Sequence, residues 1–248
     1  MNVLILAAGY ATRLYPLTLN KAKPLLDVAG KPMIEWVLDN LESVTDIDTI
    51  YVVTNDKFAR DFENWAASYK AKSPFRFKII NDGSSSDSDK LGAIGDINLV
   101  LTREDLGKSD LLVVAGDNLF SESLAGFVEF AKKSDATVAV YDVGDLEAIK
   151  KYSSIETDGE GVLTKFEEKP PKPTSTLTAI ALYYFSRELI PLFTTYIAAG
   201  NNPDQPGRFI QWLHTRKRVN TFRITGTWFD IGSKETLEEA NKIFEKFV

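Results

Sequence analysis

The sequence predicts an α/β protein whose mostly parallel central sheet is flanked by helices, and three observations lead to this fold class. Short aliphatic runs recur through the first part of the chain, segments with helical spacing separate them, and hairpin-like runs follow. Uninterrupted aliphatic runs suit strands that are buried on both faces, as in a parallel sheet. Strands that alternate with helices are typical of such a sheet.

The aliphatic runs predict the strands of the sheet. They span residues 2–7, 49–54, 75–80, 110–115 and 136–141. Between the first two, segment 32–41 predicts a helix, because its apolar residues are dense and Pro32 stands where a first-turn proline is tolerated. We expect this helix to pack on the sheet.

After about Gly144 the pattern changes from alternating strands and helices to hairpins. Strand-like segments span 154–157, 162–168 and 178–185. Asp158-Gly159 separates the first two, as in a hairpin turn. The connection 169–176 contains three prolines and should be extended.

Two further segments complete the prediction of local structure. Residues 233–247 should form a closing helix, with Leu237, Ala240 and Phe244 at helical spacing. Residues 84–89, rich in serine and aspartate, predict a mobile surface loop. The tryptophans at 36, 65, 212 and 228 are expected to pack in the core or at its rim.

Composition limits the class of protein. The 248 residues carry a net charge of -6, which argues against a protein that coats nucleic acid, so any phosphate-binding surface must be local. Cysteine is absent and His214 is the only histidine, so a metal would need oxygen ligands. The first apolar run lacks a basic leader and is far shorter than the ~18 residues of a membrane span, so we expect a cytoplasmic protein.

The strongest chemical signal comes directly after the first predicted strand. That strand stops at Ala8-Gly9, and the cationic residues Arg13 and Lys23 follow. A sharp turn at small residues lets consecutive backbone N–H groups face phosphate oxygens, while the two cations supply charge. The residues therefore indicate a phosphate-handling loop, with a plain strand-to-helix turn and solvated cations as the alternative.

Carboxylates stand at three other strand ends or turns. Asp117 follows the strand 110–115, at the end where open parallel sheets form ligand crevices. Asp230 lies between aromatic residues and a glycine turn, and Glu168 with Lys169 ends another strand. Taken singly, these residues could be helix caps, turn formers or solvated charges.

Together these motifs resemble the sugar-phosphate nucleotidylyltransferases, the family of glucose-1-phosphate thymidylyltransferase and its uridylyl, cytidylyl and guanylyl relatives. The similarity lies in segments 6–33, 116–118, 168–170 and 228–233. It implies a Rossmann-like nucleotidyltransferase fold with a small sugar-side hairpin region. It also implies a single domain over residues 1–248, with a nucleotide half of about 1–143 and a sugar half of about 144–248.

The resemblance implies an enzyme that joins a nucleoside triphosphate to a sugar 1-phosphate and releases pyrophosphate, with Mg²⁺ as cofactor. Catalytic roles fall to Arg13, which would stabilise the departing pyrophosphate, to Lys23, which would neutralise phosphate charge, and to Asp117. Asp117 and Asp230 would hold the metal. The implied nucleotide-binding residues are Leu6, Ala8, Gly9, Arg13, Lys23, Gly92 and Asp117. The implied acceptor-binding residues are Tyr152, Glu168, Lys169, Ala179 and Tyr183.

The chain departs from the family pattern at several positions, which leaves its substrates open. Ala11 and Ala181 replace glycines that are frequent in the family, Ala22 replaces a proline, and Ser153 stands in place of a glycine. The glutamine expected before Gly92 is missing, so the base is not assigned. Two alternatives remain. One is transfer to an alcohol phosphate such as phosphocholine or inositol phosphate, and the other is a catalytically silent nucleotide-sensing module.

Overall fold

The computed structural model describes residues 1–70 and 73–248. The strands are β1 (Asn2–Leu6), β2 (Asp27–Val28), β3 (Lys31–Pro32), β4 (Ile50–Thr54), β5 (Phe77–Asn81), β6 (Leu111–Ala115), β7 (Asn118–Phe120), β8 (Ala136–Asp142), β9 (Ser153–Thr157), β10 (Leu163–Glu168), β11 (Leu177–Phe185), β12 (Asn220–Arg223) and β13 (Trp228–Asp230). The helices are α1 (Met33–Asp39), α2 (Ala59–Tyr69), α3 (Ala93–Arg103), α4 (Ala125–Ala131), α5 (Leu146–Ile149), α6 (Pro191–Ala198), α7 (Pro206–Leu213) and α8 (Lys234–Phe244).

The largest sheet has seven strands in the order β12-β8-β11-β6-β1-β4-β5. Strand β4 pairs in parallel with β1 and β5, and β12 pairs in parallel with β8. The pairing of β8 with β11 is antiparallel. The predicted mixed, mostly parallel sheet with flanking helices is therefore confirmed.

Most of the predicted elements are present, with ends that differ by at most three residues. The five predicted strands of the sheet correspond to β1, β4, β5, β6 and β8, and the predicted hairpin is the antiparallel pair of β9 and β10. The third strand-like segment forms β11, which joins the large sheet antiparallel to β8, and most of its residues are buried there.

The chain divides into two compact units, each assembled from separate segments. The first unit contains Met1–Leu91, Val114–Ala125 and Gly226–Val248. The second unit contains Gly92–Val113 and Gly126–Thr225. The single domain with two consecutive halves stays a prediction.

In the first unit, an apolar cluster beside the sheet fixes α1 and α8. Trp36 of α1 is buried, donates a hydrogen bond from Nε1 to the Val28 carbonyl at 2.9 Å, and meets the ring of Phe244 edge-on at 5.1 Å. Helix α8 begins at a capping box in which Ser233 and Thr236 satisfy each other's backbone N–H groups. The closing helix is thus anchored at both ends.

In the second unit, aromatic stacking fixes α7. Phe209 lies on the buried face of this helix and stacks on Phe193 of α6, with ring centroids 3.9 Å apart. Phe185 of β11 meets both rings edge-on. His214 follows the last residue of α7 and is half-buried.

In the described ranges 1–70 and 73–248, each helix is too short or too polar to cross a membrane.

Candidate functional site

The loop after β1 is held in a defined shape by its own backbone. Ala11 adopts the left-handed conformation, with φ of 48° and ψ of 44°. Thr18 donates a hydrogen bond from Oγ1 to the Ala11 carbonyl at 2.8 Å. The following turn buries Leu14 and leaves Arg13 exposed. The chain therefore presents a cation on a loop whose base is anchored in the core.

A cleft of about 340 Å³ lies against this loop. Its walls include Gly9, Arg13, Lys23 and Asp230. An adjoining hollow of about 150 Å³ is lined by Leu6, Gly9, Lys23 and Asp117, among others. The predicted nucleotide-binding residues of the first unit thus come together, with one exception. Ala8 is buried, and its carbonyl accepts a hydrogen bond from Asn55 Nδ2 at 2.9 Å, so its contact with a nucleotide stays a prediction.

Lys23 lies between the two predicted metal ligands. Its Nζ is 2.5 Å from Asp117 Oδ2 and 3.8 Å from Asp230 Oδ1, and only 12% of its side chain is exposed. Burial by itself lowers the pKa of Lys23, but the Asp117 and Asp230 carboxylates outweigh it and hold the pKa of Lys23 above its ordinary value. A charged lysine between two carboxylates follows.

Two very short strands bring the carboxylates together. Strands β7 and β13 pair antiparallel, with Asp230 opposite Asn118, the residue that follows Asp117. The ladder continues where Ser121 N–H donates to the Thr227 carbonyl at 3.0 Å. Sequence reasoning missed this pair, because three-residue strands show no alternation that could reveal them.

Glycine at position 116 allows the chain before Asp117 to lie close to the end of β1. Gly116 N–H donates to the Leu6 carbonyl at 2.9 Å. A Cβ at this position would lie 3.0 Å from Ile5 Cγ2 and 3.2 Å from the Leu6 carbonyl oxygen, distances tighter than ordinary van der Waals contact. Gly116 therefore sets the approach of the carboxylate-bearing turn to the phosphate-handling loop.

The donor chemistry of this cleft fits a magnesium ion. Both carboxylates reach one cation, the Lys23 ammonium, so their oxygens converge on one region. Carboxylate oxygens combined with substrate phosphates are the ligands that Mg²⁺ prefers. Within residues 1–70 and 73–248, no cluster of three or more acidic, histidine or cysteine side chains is suited to hold a metal. The two aspartates would therefore need substrate oxygens or water to complete a coordination shell.

The Ser- and Asp-rich segment 84–89 is built by local hydrogen bonds. The Asp89 carboxylate accepts from the backbone N–H and hydroxyl groups of both Ser85 and Ser86, which holds the pKa of Asp89 below its ordinary value. The expectation of a surface loop is wrong for Ser84, which is buried and whose carbonyl accepts from the Tyr10 hydroxyl at 2.9 Å. Asp87 contributes to the wall of the cleft.

Most of the predicted acceptor-binding residues of the second unit gather where β10 ends. Glu168 is half-buried, and Lys169 follows it with a left-handed φ of 48°. Lys169 N–H donates to the Tyr152 carbonyl at 2.7 Å. Tyr183 is buried, and burial together with the nearby Glu168 raises the pKa of its phenol. Four predicted residues are thus close to one another.

Ala179 has a different environment. Its N–H donates to Ser153 Oγ at 3.0 Å, and it marks the start of an irregularity in the pairing of β11 with β8. Ala181, within that irregularity, has a left-handed φ of 41°. The two alanines therefore shape the strand, and Ser153 ties it to β9.

Gly92 stands at the start of α3, in the second unit. A Cβ there would lie 2.7 Å from Asp204 Cα and 2.7 Å from the Pro203 carbonyl oxygen, and its φ is 79°. The next two N–H groups, of Ala93 and Ile94, donate to the carbonyls of Asp204 and Pro203. Gly92 therefore allows the backbone at the start of α3 to lie close to the protein's own segment 203–204. Its contact with a nucleotide stays a prediction.

Sequence reasoning missed the first turn of α7. Gln205, Gly207 and Arg208 lie beside Glu168, and Gln205 also reaches Lys169. Their types follow no motif that the sequence alone makes visible. The one available signal is Pro206, which marks the start of a helix in a segment rich in turn-forming residues.

The protein has a mixed sheet flanked by helices, and a loop that carries cations lies beside converging carboxylates. These features are typical of an α/β protein that binds phosphate groups. Comparison with known proteins narrows this class. The family model described as nucleotidyl transferase matches residues 2–246, and the chain belongs to this family. The resemblance to sugar-phosphate nucleotidyltransferases is thereby confirmed.

The similarity extends to named relatives and to a solved structure. The bifunctional protein GlmU of Methanocaldococcus jannaschii is 27% identical over 242 residues, which are 98% of this chain and 54% of that protein. The UTP-glucose-1-phosphate uridylyltransferase AglF of Haloferax volcanii is 26% identical over 245 residues, covering 98% of this chain and 96% of AglF. UDP-glucose pyrophosphorylase complexed with UDP-glucose shares the fold, with a TM-score of 0.81, 23% identity and coverage of 99% of this chain and 98% of that one. The chain spans about half the length of the GlmU relatives.

Proposed function

We propose that the protein transfers a nucleotidyl group from a nucleoside triphosphate to a sugar 1-phosphate, forming a nucleotide sugar and pyrophosphate. The observation that carries this proposal is Lys23, held between Asp117 and Asp230 in the wall of the cleft that Arg13 also lines. Family membership and the substrates named for AglF support the same reaction.

The reaction needs no protein nucleophile. An oxygen of the acceptor phosphate forms a bond to the α-phosphorus, and the bond from that phosphorus to the oxygen bridging the β-phosphorus breaks. Pyrophosphate leaves with the bridging oxygen. The protein's contribution is to hold two polyanions together and to stabilise the charge that develops, which are the positional and electrostatic terms of catalysis.

Two cationic side chains divide the electrostatic work in this proposal. Lys23 shares its charge between the carboxylates beside it and the phosphates of the nucleotide. Arg13, exposed on the loop, stabilises the charge on the departing pyrophosphate. Asp117 and Asp230 would hold Mg²⁺. When bound, the ion supplies the positive charge that polarises the phosphoryl oxygens.

The acceptor is assigned to the residues where β10 ends. The Glu168 carboxylate would accept hydrogen bonds from sugar hydroxyls, and the Lys169 ammonium would bind the phosphate. A sugar 1-phosphate carries both kinds of group, and the names of the relatives favour it over an alcohol phosphate.

A cytoplasmic location, where nucleoside triphosphates are made, goes with this proposal. The net charge of -6 speaks against a nucleic acid partner.

An isotope experiment tests the direction of attack. Glucose 1-phosphate whose non-bridging phosphate oxygens carry ¹⁸O is incubated with Mg²⁺ and one nucleoside triphosphate at a time. The masses of the products are then measured by mass spectrometry. The proposal predicts a nucleotide sugar that retains all of the label and pyrophosphate that contains none. Label in the pyrophosphate, or product formation without a nucleotide sugar, would refute it.

A further inference from the structure

We propose that Gln205 is a positioning residue that ties the Glu168 carboxylate to the Lys169 ammonium, so that hydroxyl recognition and phosphate recognition of the acceptor act as a unit. This inference rests on the proposed function and specifies how the acceptor is held. It concerns contacts within the second unit alone.

The side-chain amide of Gln205 meets both residues at once. The orientation that satisfies its surroundings has the NH₂ group donating to Glu168 Oε1 at 3.3 Å and the oxygen accepting from Lys169 Nζ at 2.5 Å. An amide is the side chain suited to this position, because it offers a donor to an anion and an acceptor to a cation. A carboxylate or an ammonium could serve only one of the two neighbours.

The amide of Gln205 is available for this role because it does not cap the helix. Gln205 occupies the position before α7, and its side chain makes no capping hydrogen bond. Serine, threonine, asparagine and aspartate are the side chains preferred for capping, and glutamine is not among them. Pro206, at the first helical position, sets the start of α7 without help from Gln205. The identity of residue 205 is therefore explained by its contacts with Glu168 and Lys169.

Gly207 brings the first turn of α7 close to the Glu168 carboxylate. A Cβ at this position would lie 2.5 Å from Glu168 Oε2 and 3.0 Å from the ring of Phe166. The carboxylate thus approaches the amino-terminal end of the helix, where partial positive charge favours an anion. Arg208 adds a full positive charge on the same turn. In the part of the chain that the structure describes, its buried Nε makes no hydrogen bond.

The charges around Glu168 counteract the effect of burial on its pKa. Burial raises the pKa of Glu168, whereas Lys169 and Arg208 counteract that rise. Tyr183 is a further titratable group close to this carboxylate. A donor from Gln205 adds to the groups that stabilise the ionised form.

Lys169 also depends on a fixed geometry. Its backbone is held in the left-handed region before Pro170, a conformation that is unfavourable for an L-residue and that tertiary contacts must maintain. The hydrogen bond from Lys169 N–H to the Tyr152 carbonyl fixes the backbone of Lys169. The Gln205 oxygen restrains the end of its exposed side chain. A lysine that is already ordered loses less entropy when it binds a phosphate.

The test compares Gln205→Met with Gln211→Met, which replaces an exposed glutamine of α7. Methionine keeps the size of the side chain and removes both hydrogen bonds. We expect Gln205→Met to raise the KM for the sugar 1-phosphate about tenfold, equivalent to about 1.4 kcal/mol, because hydrogen bonds to charged groups are lost. The KM for the nucleoside triphosphate and both constants of Gln211→Met should stay within about twofold of the wild type.

A second variant separates the two contacts. Gln205→Glu keeps an oxygen for Lys169 but places a negative charge beside Glu168, which raises the pKa of that carboxyl further. At alkaline pH its KM for the sugar 1-phosphate should lie above that of the wild type, because the donor to Glu168 is lost while the oxygen for Lys169 is kept. As the pH falls, its KM should begin to rise at a higher pH than the wild-type KM does. A merely structural role for Gln205 would not move this profile.

Unchanged acceptor KM in Gln205→Met, or equal increases for both substrates, would overturn the inference while leaving the proposed function intact. A wild-type protein that turns over no sugar 1-phosphate would instead contradict the proposed function. In that event, the affinity for glucose 1-phosphate measured by calorimetry decides the inference. About tenfold weaker binding by Gln205→Met than by the wild type supports it, and equal binding overturns it.

Discussion

Lys23 balances two carboxylates that would otherwise repel each other. Asp117 and Asp230 are only partly exposed, so water screens their charges less than it does on an open surface. Removing one partner of such a partly buried group leaves an uncompensated charge, which costs more than the pair itself contributes. Lys23 and the proposed magnesium ion would therefore stabilise the site in the same way, because each supplies positive charge to the same two aspartates.

We predict that Asp117→Asn or Asp230→Asn lowers turnover at least ~10³-fold, a barrier increase of about 4 kcal/mol, because the metal loses an anionic ligand. Mn²⁺ binding measured by electron paramagnetic resonance should weaken in parallel. Asp61→Asn, at an exposed position in the first turn of α2, is the control and should leave both quantities unchanged. Turnover within about tenfold of the wild type in either variant would show that the metal assignment is wrong.

Ala11 adopts a backbone conformation that glycine adopts more readily. The left-handed region costs an L-residue about 1–2 kcal/mol, and the family pattern frequently has glycine here. The loop therefore keeps the shape expected of a glycine while it carries a methyl group. Ala181 repeats this situation in β11.

Ala11→Gly should stabilise the protein by about 0.5–1 kcal/mol, because relief of backbone strain exceeds the greater entropy that glycine has in the unfolded chain. Urea unfolding followed by circular dichroism measures the change. Ala67→Gly, at an exposed position inside α2, provides the opposite case and should destabilise by about 1 kcal/mol. If both substitutions destabilised the protein equally, strain at Ala11 would be refuted.

Strand pairs differ in how well the sequence reveals them. The strands β1 and β4 are predictable because each contains four consecutive apolar residues, which mark a strand that is buried on both faces. The pair β7 and β13 is not predictable, since each strand has three residues and they come from distant parts of the chain. The sequence thus indicates Asp117 and Asp230 as candidates, and the fold shows the strand pairing that brings both of them to Lys23.

The segment 84–89 is also better defined than its composition indicates. Serine and aspartate are typical of mobile loops, yet here the Asp89 carboxylate closes a ring of hydrogen bonds with Ser85 and Ser86. Side chains of this type bond readily to nearby backbone groups. Composition alone does not distinguish a loop that makes such bonds from one that does not.

Asp89→Asn should lower the urea midpoint at neutral pH, and the difference from the wild type should shrink in acid. The hydrogen bonds depress the pKa of Asp89 in the folded state, so its stabilisation is fully present above the unfolded value of 3.8. It is lost as the pH falls from 3.8 towards the depressed folded value. Urea titrations at pH 7 and at pH 3 measure this. A difference that stays constant between the two pH values would contradict the role of the carboxylate.

The two units show which parts of the chain's organisation are local and which are not. Each unit is assembled from separate segments, so contacts between distant residues define it, and sequence-local patterns do not reveal such contacts. The fold class was predictable because the alternation of strands and helices is local. The contacts of Gln205 and the approach of Gly92 to segment 203–204 were not, because they depend on where α7 and its preceding loop pack.

Charge is distributed unevenly over the chain. A net charge of -6 coexists with Arg13 and Lys23 in the wall of one cleft, which makes that cleft locally attractive to polyanions.

Pyrophosphate release tests the central claim most directly. The protein is incubated with Mg²⁺ and with dTTP, UTP, CTP, GTP or ATP, each with and without glucose 1-phosphate, other sugar 1-phosphates, or phosphocholine. We predict release that requires a nucleotide and a sugar 1-phosphate together and that stops when the metal is chelated. Release only with phosphocholine, or none with any pair while nucleotide binding is still detectable, would contradict the proposed function.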